Sequence, residues 1–161
     1  MLMKTHGLLV CFFLLIVGCA GKKVETIETK AGSFVLGHGF SIDAHYDEGV
    51  DRLVPGYKLL TVAIRNTSLT VIQMNFKEDQ WVVVSRHGKK MKAINSLRKK
   101  DPRRWNALPE EVQRLVDYPD EVPINYTATF NLFFPKSADL DKFEELQYKN
   151  LVFRKVFKIY R

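Results

Sequence analysis

Ile124-Asn125-Tyr126-Thr127-Ala128-Thr129-Phe130-Asn131-Leu132-Phe133-Phe134 alternates apolar and polar side chains along one run, and Pro135 ends it. In an extended chain Tyr126, Ala128, Phe130, Leu132 and Phe134 share one face, while Asn125, Thr127, Thr129, Asn131 and Phe133 share the other. A period of two with one apolar face predicts a strand of an antiparallel sheet that packs on a core.

Working outward, Tyr57 to Asn66 repeats the pattern, with Leu60, Val62 and Ile64 opposite Thr61, Ala63 and Arg65. Val71-Ile72-Gln73-Met74 and Phe76 give a shorter run. Trp81-Val82-Val83-Val84 and Met91-Lys92-Ala93-Ile94 flank Arg86-His87-Gly88-Lys89, a hairpin signal with Gly in the turn. Phe143, Leu146, Tyr148 and the stretch Val152 to Tyr160 supply closing strands. On the N-terminal side, Phe34-Val35-Leu36 and Phe40 to Tyr46 read as one long edge element bent at Gly37-His38-Gly39. Seven or eight strands at this spacing predict an all-β fold, an antiparallel sandwich over residues 33–161.

Residues 95–122 break the rhythm. They carry Arg98-Lys99-Lys100-Asp101-Pro102-Arg103-Arg104-Trp105 and then Leu108-Pro109-Glu110-Glu111-Val112-Gln113-Arg114-Leu115-Val116. The second segment predicts a helix, with Pro early, acids in the first turn and Leu108, Val112, Leu115 and Val116 on one face. Together they read as a basic, partly helical insertion packed over the sandwich or its end.

At the N-terminus, Lys4 precedes the apolar run Gly7 to Val17, which is too short to span a hydrocarbon core needing roughly 20 residues. Ile16-Val17-Gly18-Cys19-Ala20 then resembles the lipobox of bacterial lipoproteins. That resemblance implies a helical signal peptide over 1–18, cleavage before Cys19, a diacylglyceryl group on its thiol and a further acyl chain such as palmitate on its amine. Two or more chains make a stable anchor. Ala20, where an inner-membrane protein of enteric bacteria would carry Asp, implies an outer-membrane lipoprotein facing the periplasm. Residues 19–32 are polar and read as the lipidated N-terminus and a flexible tether. The other cysteine, Cys11, lies in the signal, so the mature domain is expected to hold neither thiol nor disulfide.

Tyr57 to Asn66, Gln80-Trp81-Val82-Val83-Val84, the glycine hairpin and Ala128 to Lys136 together resemble the immunoglobulin-like domains of unknown function found in many bacterial lipoproteins. The similarity runs from Tyr57 to Tyr160, and the helical insertion departs from the family's compact pattern. It implies an immunoglobulin-like sandwich and carries no catalytic residues with it.

The chain has 25 Lys and Arg against 18 Asp and Glu, a net charge of +7 that drops by one if Lys4 leaves with the signal. Beside a membrane, such a charge favours anionic headgroups, acidic envelope polymers or acidic proteins. Nucleic acid is not expected as a partner of an exported chain. There is no Gly-rich phosphate loop, no His-Glu-x-x-His and no nucleophile elbow, so neither catalysis nor a cofactor is expected. Asp43, His45 and Asp47 fall at a period of two and could hold a divalent metal, or they could be a charged strand edge that discourages pairing. The cations Lys89, Lys90, Lys92, Arg98, Lys99, Lys100, Arg103 and Arg104 are set against a single acid, Asp101, with Trp105 beside them. Two readings stand for that cluster: an anionic-surface or partner site using Trp105 at the interface, or a solvated layer with Trp105 packed beneath it. The function these features point to is a non-catalytic, membrane-anchored interaction module, or else an envelope accessory protein that binds a ligand or metal.

Overall fold

The computed structural model describes residues 24–150 and 152–161; the expected signal peptide and Cys19 lie outside them. In chain order the strands are β1 (Glu25–Lys30), β2 (Phe40–Tyr46), β3 (Tyr57–Asn66), β4 (Ile72–Gln73), β5 (Gln80–Ser85), β6 (Lys90–Lys92), β7 (Glu121–Val122), β8 (Thr127–Pro135), β9 (Phe143–Asn150) and β10 (Lys155–Tyr160). Three short helices, α1 (Leu97–Lys100), α2 (Pro102–Ala107) and α3 (Glu110–Val116), stand between β6 and β7.

One sheet runs β1-β10-β9-β5-β6 and a second runs β2-β3-β8, while β4 and β7 pair separately. Every pairing is antiparallel except β1 with β10. The two larger sheets share one apolar core, in which Phe40 of β2 meets Phe157 of β10 edge-on and Trp81 of β5 meets Phe130 of β8. Fully burying a side chain of this size contributes about 1.5–3 kcal/mol. The core-facing residues of β3 and β8, Leu60, Val62 and Ile64 with Ala128, Phe130, Leu132 and Phe134, are those the alternation predicts. The hairpin between β5 and β6 forms as expected, with Gly88 at φ +73° and its N–H donating to Ser85 O.

Four expectations need correction. Glu25–Lys30 is a strand in register with Lys155–Tyr160, not a flexible tether. The segment before β2 is a tight turn, not a bent edge strand: Val35 N–H donates to Phe40 O, His38 N–H donates to Val35 O, and Gly37 and Gly39 adopt positive φ. Tyr126, expected on the core face of the β8 strand, precedes it and is exposed. Leu115 points to solvent at 60% exposure, and α3, which begins only at Glu110, buries Val116 instead.

The outer face of the smaller sheet is not solvated along its whole length. Leu59 and Phe133 point away from the main core, yet both are completely buried, because Leu97, Trp105 and Val116 of the helices cover them. Ile94 is bridged to Phe133 by backbone hydrogen bonds in both directions, which moors the start of the insertion to β8.

Candidate interaction surface

The helical layer is fixed by local sequence at Asp101. Its backbone N–H closes α1 onto Leu97 O, and its carboxylate accepts from Arg104 N–H at 3.1 Å to cap α2, where Pro102 takes the first position. Two short helices therefore meet at one acid and hold their basic residues in fixed directions. Arg98, Lys99, Lys100 and Arg103 are exposed, and none makes an ion pair among the described residues.

Arg104 differs. Its guanidinium donates to Pro55 O, lies 3.6 Å from the Asp101 carboxylate and sits 5.4 Å over the Tyr57 ring. It clamps α2 to the turn before β3, and its guanidinium is already engaged by Pro55, Asp101 and Tyr57. Trp105 is 4% exposed and packs in the second core, so it does not stand at an interface. Its visible link to the surface is the Arg98 guanidinium, 5.4 Å over its ring.

The structure adds a cation that sequence spacing did not place in the group. Lys77 joins Lys99 and Lys100 around an open cleft of about 550 Å³ that Phe76, Ile94, Asn95 and Ser96 complete. Lys77 is distant in sequence, and only the packing of the β4–β5 loop against α1 brings it there. Lys89, Lys90 and Lys92 belong instead to the β5–β6 hairpin.

Beneath the cleft lies a buried polar network. Asn95 Nδ2 donates to Phe76 O at 3.1 Å and to Asp79 O at 2.7 Å. The Asp79 carboxylate, 4% exposed, accepts from Asn75 N–H, the Tyr118 hydroxyl and Asn150 Nδ2. Tyr118 in turn accepts from Trp81 Nε1 at 2.8 Å. Burial pushes the Asp79 carboxyl above its ordinary range, against the opposing pull of Asn75 and the tyrosine hydroxyls. Burial also raises the Tyr118 and Tyr148 hydroxyls, reinforced by the nearby Asp79 charge. The network joins the β4–β5 loop, the exit of the insertion and the end of β9, and its work is to hold these segments together.

Asp43, His45 and Asp47 do not form one site. β2 ends at Tyr46, and Asp47 turns to cap a 3-10 helix over Glu48–Leu53, accepting from Gly49 N–H at 2.8 Å. Asp43 accepts from Ala44 N–H. Among the described residues no group of three His, Cys, Asp or Glu side chains is placed to hold a metal ion. A separate cavity of about 880 Å³ is open and of mixed charge, with Asp47, Glu48 and Asp51 facing Arg52, Lys58 and Lys136.

No protein-family model matches the chain, and no curated protein matches it. Among solved structures, it is similar to the crystal structure of the yjhA protein from Bacillus subtilis, at 12% identity and a TM-score of 0.44, over 81% of this chain and 97% of that one. No helix of the described residues is long and apolar enough to cross a membrane.

Proposed function

We propose that this chain is a lipid-anchored, non-catalytic interaction module of the bacterial envelope, on the outer membrane and facing the periplasm, whose basic helical layer binds an acidic partner protein or polymer. The observation that carries the reading is that Arg98, Lys99, Lys100 and Arg103, without an ion pair among the described residues, are held on a layer clamped by Trp105 and Arg104. Cations fixed in direction lose little entropy on meeting an acidic surface and steer its approach.

The lipobox supplies the address: Cys19 would carry the acyl chains. The described part of the chain starts at Val24, beside the pairing of Glu25 with Lys155. α2, pinned at Pro55 and Tyr57, lies at the other end of β3, about 30 Å away for a ten-residue strand. That separation sets α2, with Arg103, at the end of the domain away from the anchoring bilayer.

An immunoglobulin-like assignment is supported by two features. A first strand runs parallel to the last, and a buried Trp on the inner strand β5 packs against Tyr148 of β9.

The test is photo-crosslinking in the native host from a reactive residue at Lys99, with and without the fourfold reversal Arg98→Glu, Lys99→Glu, Lys100→Glu and Arg103→Glu, the reversed chain bearing its cross-linker at the neighbouring Asn106. A discrete adduct from both positions in the native-charge chain that disappears on reversal supports the reading. Absence of any adduct, or one indifferent to the reversal, refutes it.

A further inference from the structure

One end of the sandwich is apolar where a soluble domain would be polar. Leu36 is 90% exposed and Leu69 92%, and Phe34, Ile124, Tyr126 and Val152 are each more than two-fifths exposed. Contacts show that these residues share one end. Thr67 donates from both its N–H and its hydroxyl to Gly39 O, which joins the 33–39 turn to the 67–70 loop. Asn66 N–H donates to Tyr126 O, bringing in the turn before β8. Phe153 stacks on Phe40 at 5.7 Å, which adds the β9–β10 turn. Among the described residues, every large apolar side chain this exposed lies at this end except Leu115.

The loops are held in place and not left to collapse. Asn66 is buried and donates to Thr70 O and Val122 O, while its Oδ1 accepts from the Ser68 N–H and hydroxyl. Gly39, at φ +64°, is packed so closely on Ser68 that an added Cβ would lie 2.9 Å from the Ser68 Cβ. Preformed tips with apolar side chains turned to water mark an interaction surface. Two cations border them: Arg65, 5.9 Å over the Phe34 ring, and Arg154 in the β9–β10 turn, both exposed and without an ion pair among the described residues.

The course of the chain identifies what covers this end. β1 runs parallel to β10 from Glu25 opposite Lys155, so Val24 stands at the start of β10, next to the β9–β10 turn that carries Val152 and Arg154. Cys19 is five residues earlier, and even fully extended that link reaches only about 17 Å. We infer that the end bearing Phe34, Leu36, Leu69, Ile124, Tyr126 and Val152 inserts into the surface of the bilayer to which Cys19 is anchored. Arg65 and Arg154 then meet headgroup phosphates, and Tyr126 takes the boundary position that amphipathic rings favour. The inference rests on the proposed lipid anchor and adds to it a fixed posture, with the loops down and α2 away from the membrane.

The test uses the full-length, acylated protein in vesicles of phosphatidylethanolamine and phosphatidylglycerol with brominated acyl chains. Leu36→Trp and Leu69→Trp place reporters at the tips, and Lys89→Trp places one on the hairpin at the other end. The native Trp81 and Trp105 are buried and supply a constant background. The tip reporters should lose about half their added emission, as befits side chains roughly 5–10 Å below the headgroups, while the Lys89→Trp signal stays unchanged. Unquenched tip reporters on protein whose Cys19 is shown by mass spectrometry to be acylated overturn the insertion and leave the anchor standing. A 36-to-36 cross-link between two copies would also overturn it, since a second chain would then be the cover. A bare Cys19 overturns the anchor, and the insertion with it.

Discussion

The indole of Trp81 lies flat on the phenol ring of Tyr148, with centroids 3.9 Å apart and planes 11° from parallel. This stack joins β5 to β9 at the centre of the core, and Trp81 Nε1 also donates to Tyr118 at the exit of the insertion. Trp81→Ala should cost about 3–5 kcal/mol through the cavity it leaves. Trp81→Phe should cost about 1–2 kcal/mol, chiefly by removing the donor to a buried hydroxyl. Urea unfolding measures both, and a loss for Trp81→Phe as large as for Trp81→Ala would contradict this account.

Asp79 gives the fold a pH dependence with a definite sign. Burial holds its carboxyl above the ordinary value of 3.8, so the folded chain binds this proton more tightly than the unfolded chain does. Its contribution is fully present below 3.8 and is lost as pH rises through the folded-state value. Asp79→Asn cannot titrate. The stability of the native protein minus that of Asp79→Asn should therefore be larger near pH 4 than near pH 7. Thermal melts at the two pH values check this, and a gap that widens toward neutrality would contradict it.

Arg103 and Arg104 are neighbours with opposite duties. Arg104→Lys gives up the fork that reaches Pro55 O and the ring of Tyr57, and should cost about 1 kcal/mol. Arg103→Lys should stay within about 0.5 kcal/mol of the native protein, since its side chain is exposed. Equal effects in chemical denaturation would mean that the clamp is not where the hydrogen bonds place it.

Gly39 and Gly32 both hold positive φ, but only Gly39 is crowded. Gly32→Ala should cost about 1–2 kcal/mol from backbone conformation alone. Gly39→Ala should cost more, because Ser68 must move and the two loops at the apolar end part. A melting comparison of the two variants separates conformational strain from the clash.

How much of this was legible in the sequence depended on whether the deciding interaction was local. β3 and β8 could be read because one face of each faces a continuous core, which writes a period of two into the residues. Leu59 and Phe133 could not be assigned from the same pattern, since the helices that cover them come from another part of the chain. β1 read as a tether because it is an edge strand whose residues are mostly exposed, with only Ile27 and Thr29 half-buried; its partner β10 lies some 130 residues away. The basic cluster was visible as composition. Which cation is tied down and which is free was decided by Pro55, Asp101 and Tyr57, and the burial of Trp105 by the same packing. The alternation of Asp43, His45 and Asp47 left a metal site and a charged edge both open, because spacing maps onto a face only while the strand lasts and β2 stops at Tyr46.

The parallel pairing of β1 with β10 also settles how the domain answers a pull. Tension drawn along the chain at Val24 slides β1 lengthwise past β10, loading the ladder from Glu25 opposite Lys155 to Lys30 opposite Tyr160 in shear, together with the ion pairs Lys155–Glu25 and Lys158–Glu28. Bonds strained side by side resist far more than bonds opened one after another. A pull applied at Val24 would thus be spread over the whole ladder before the sheet gave way.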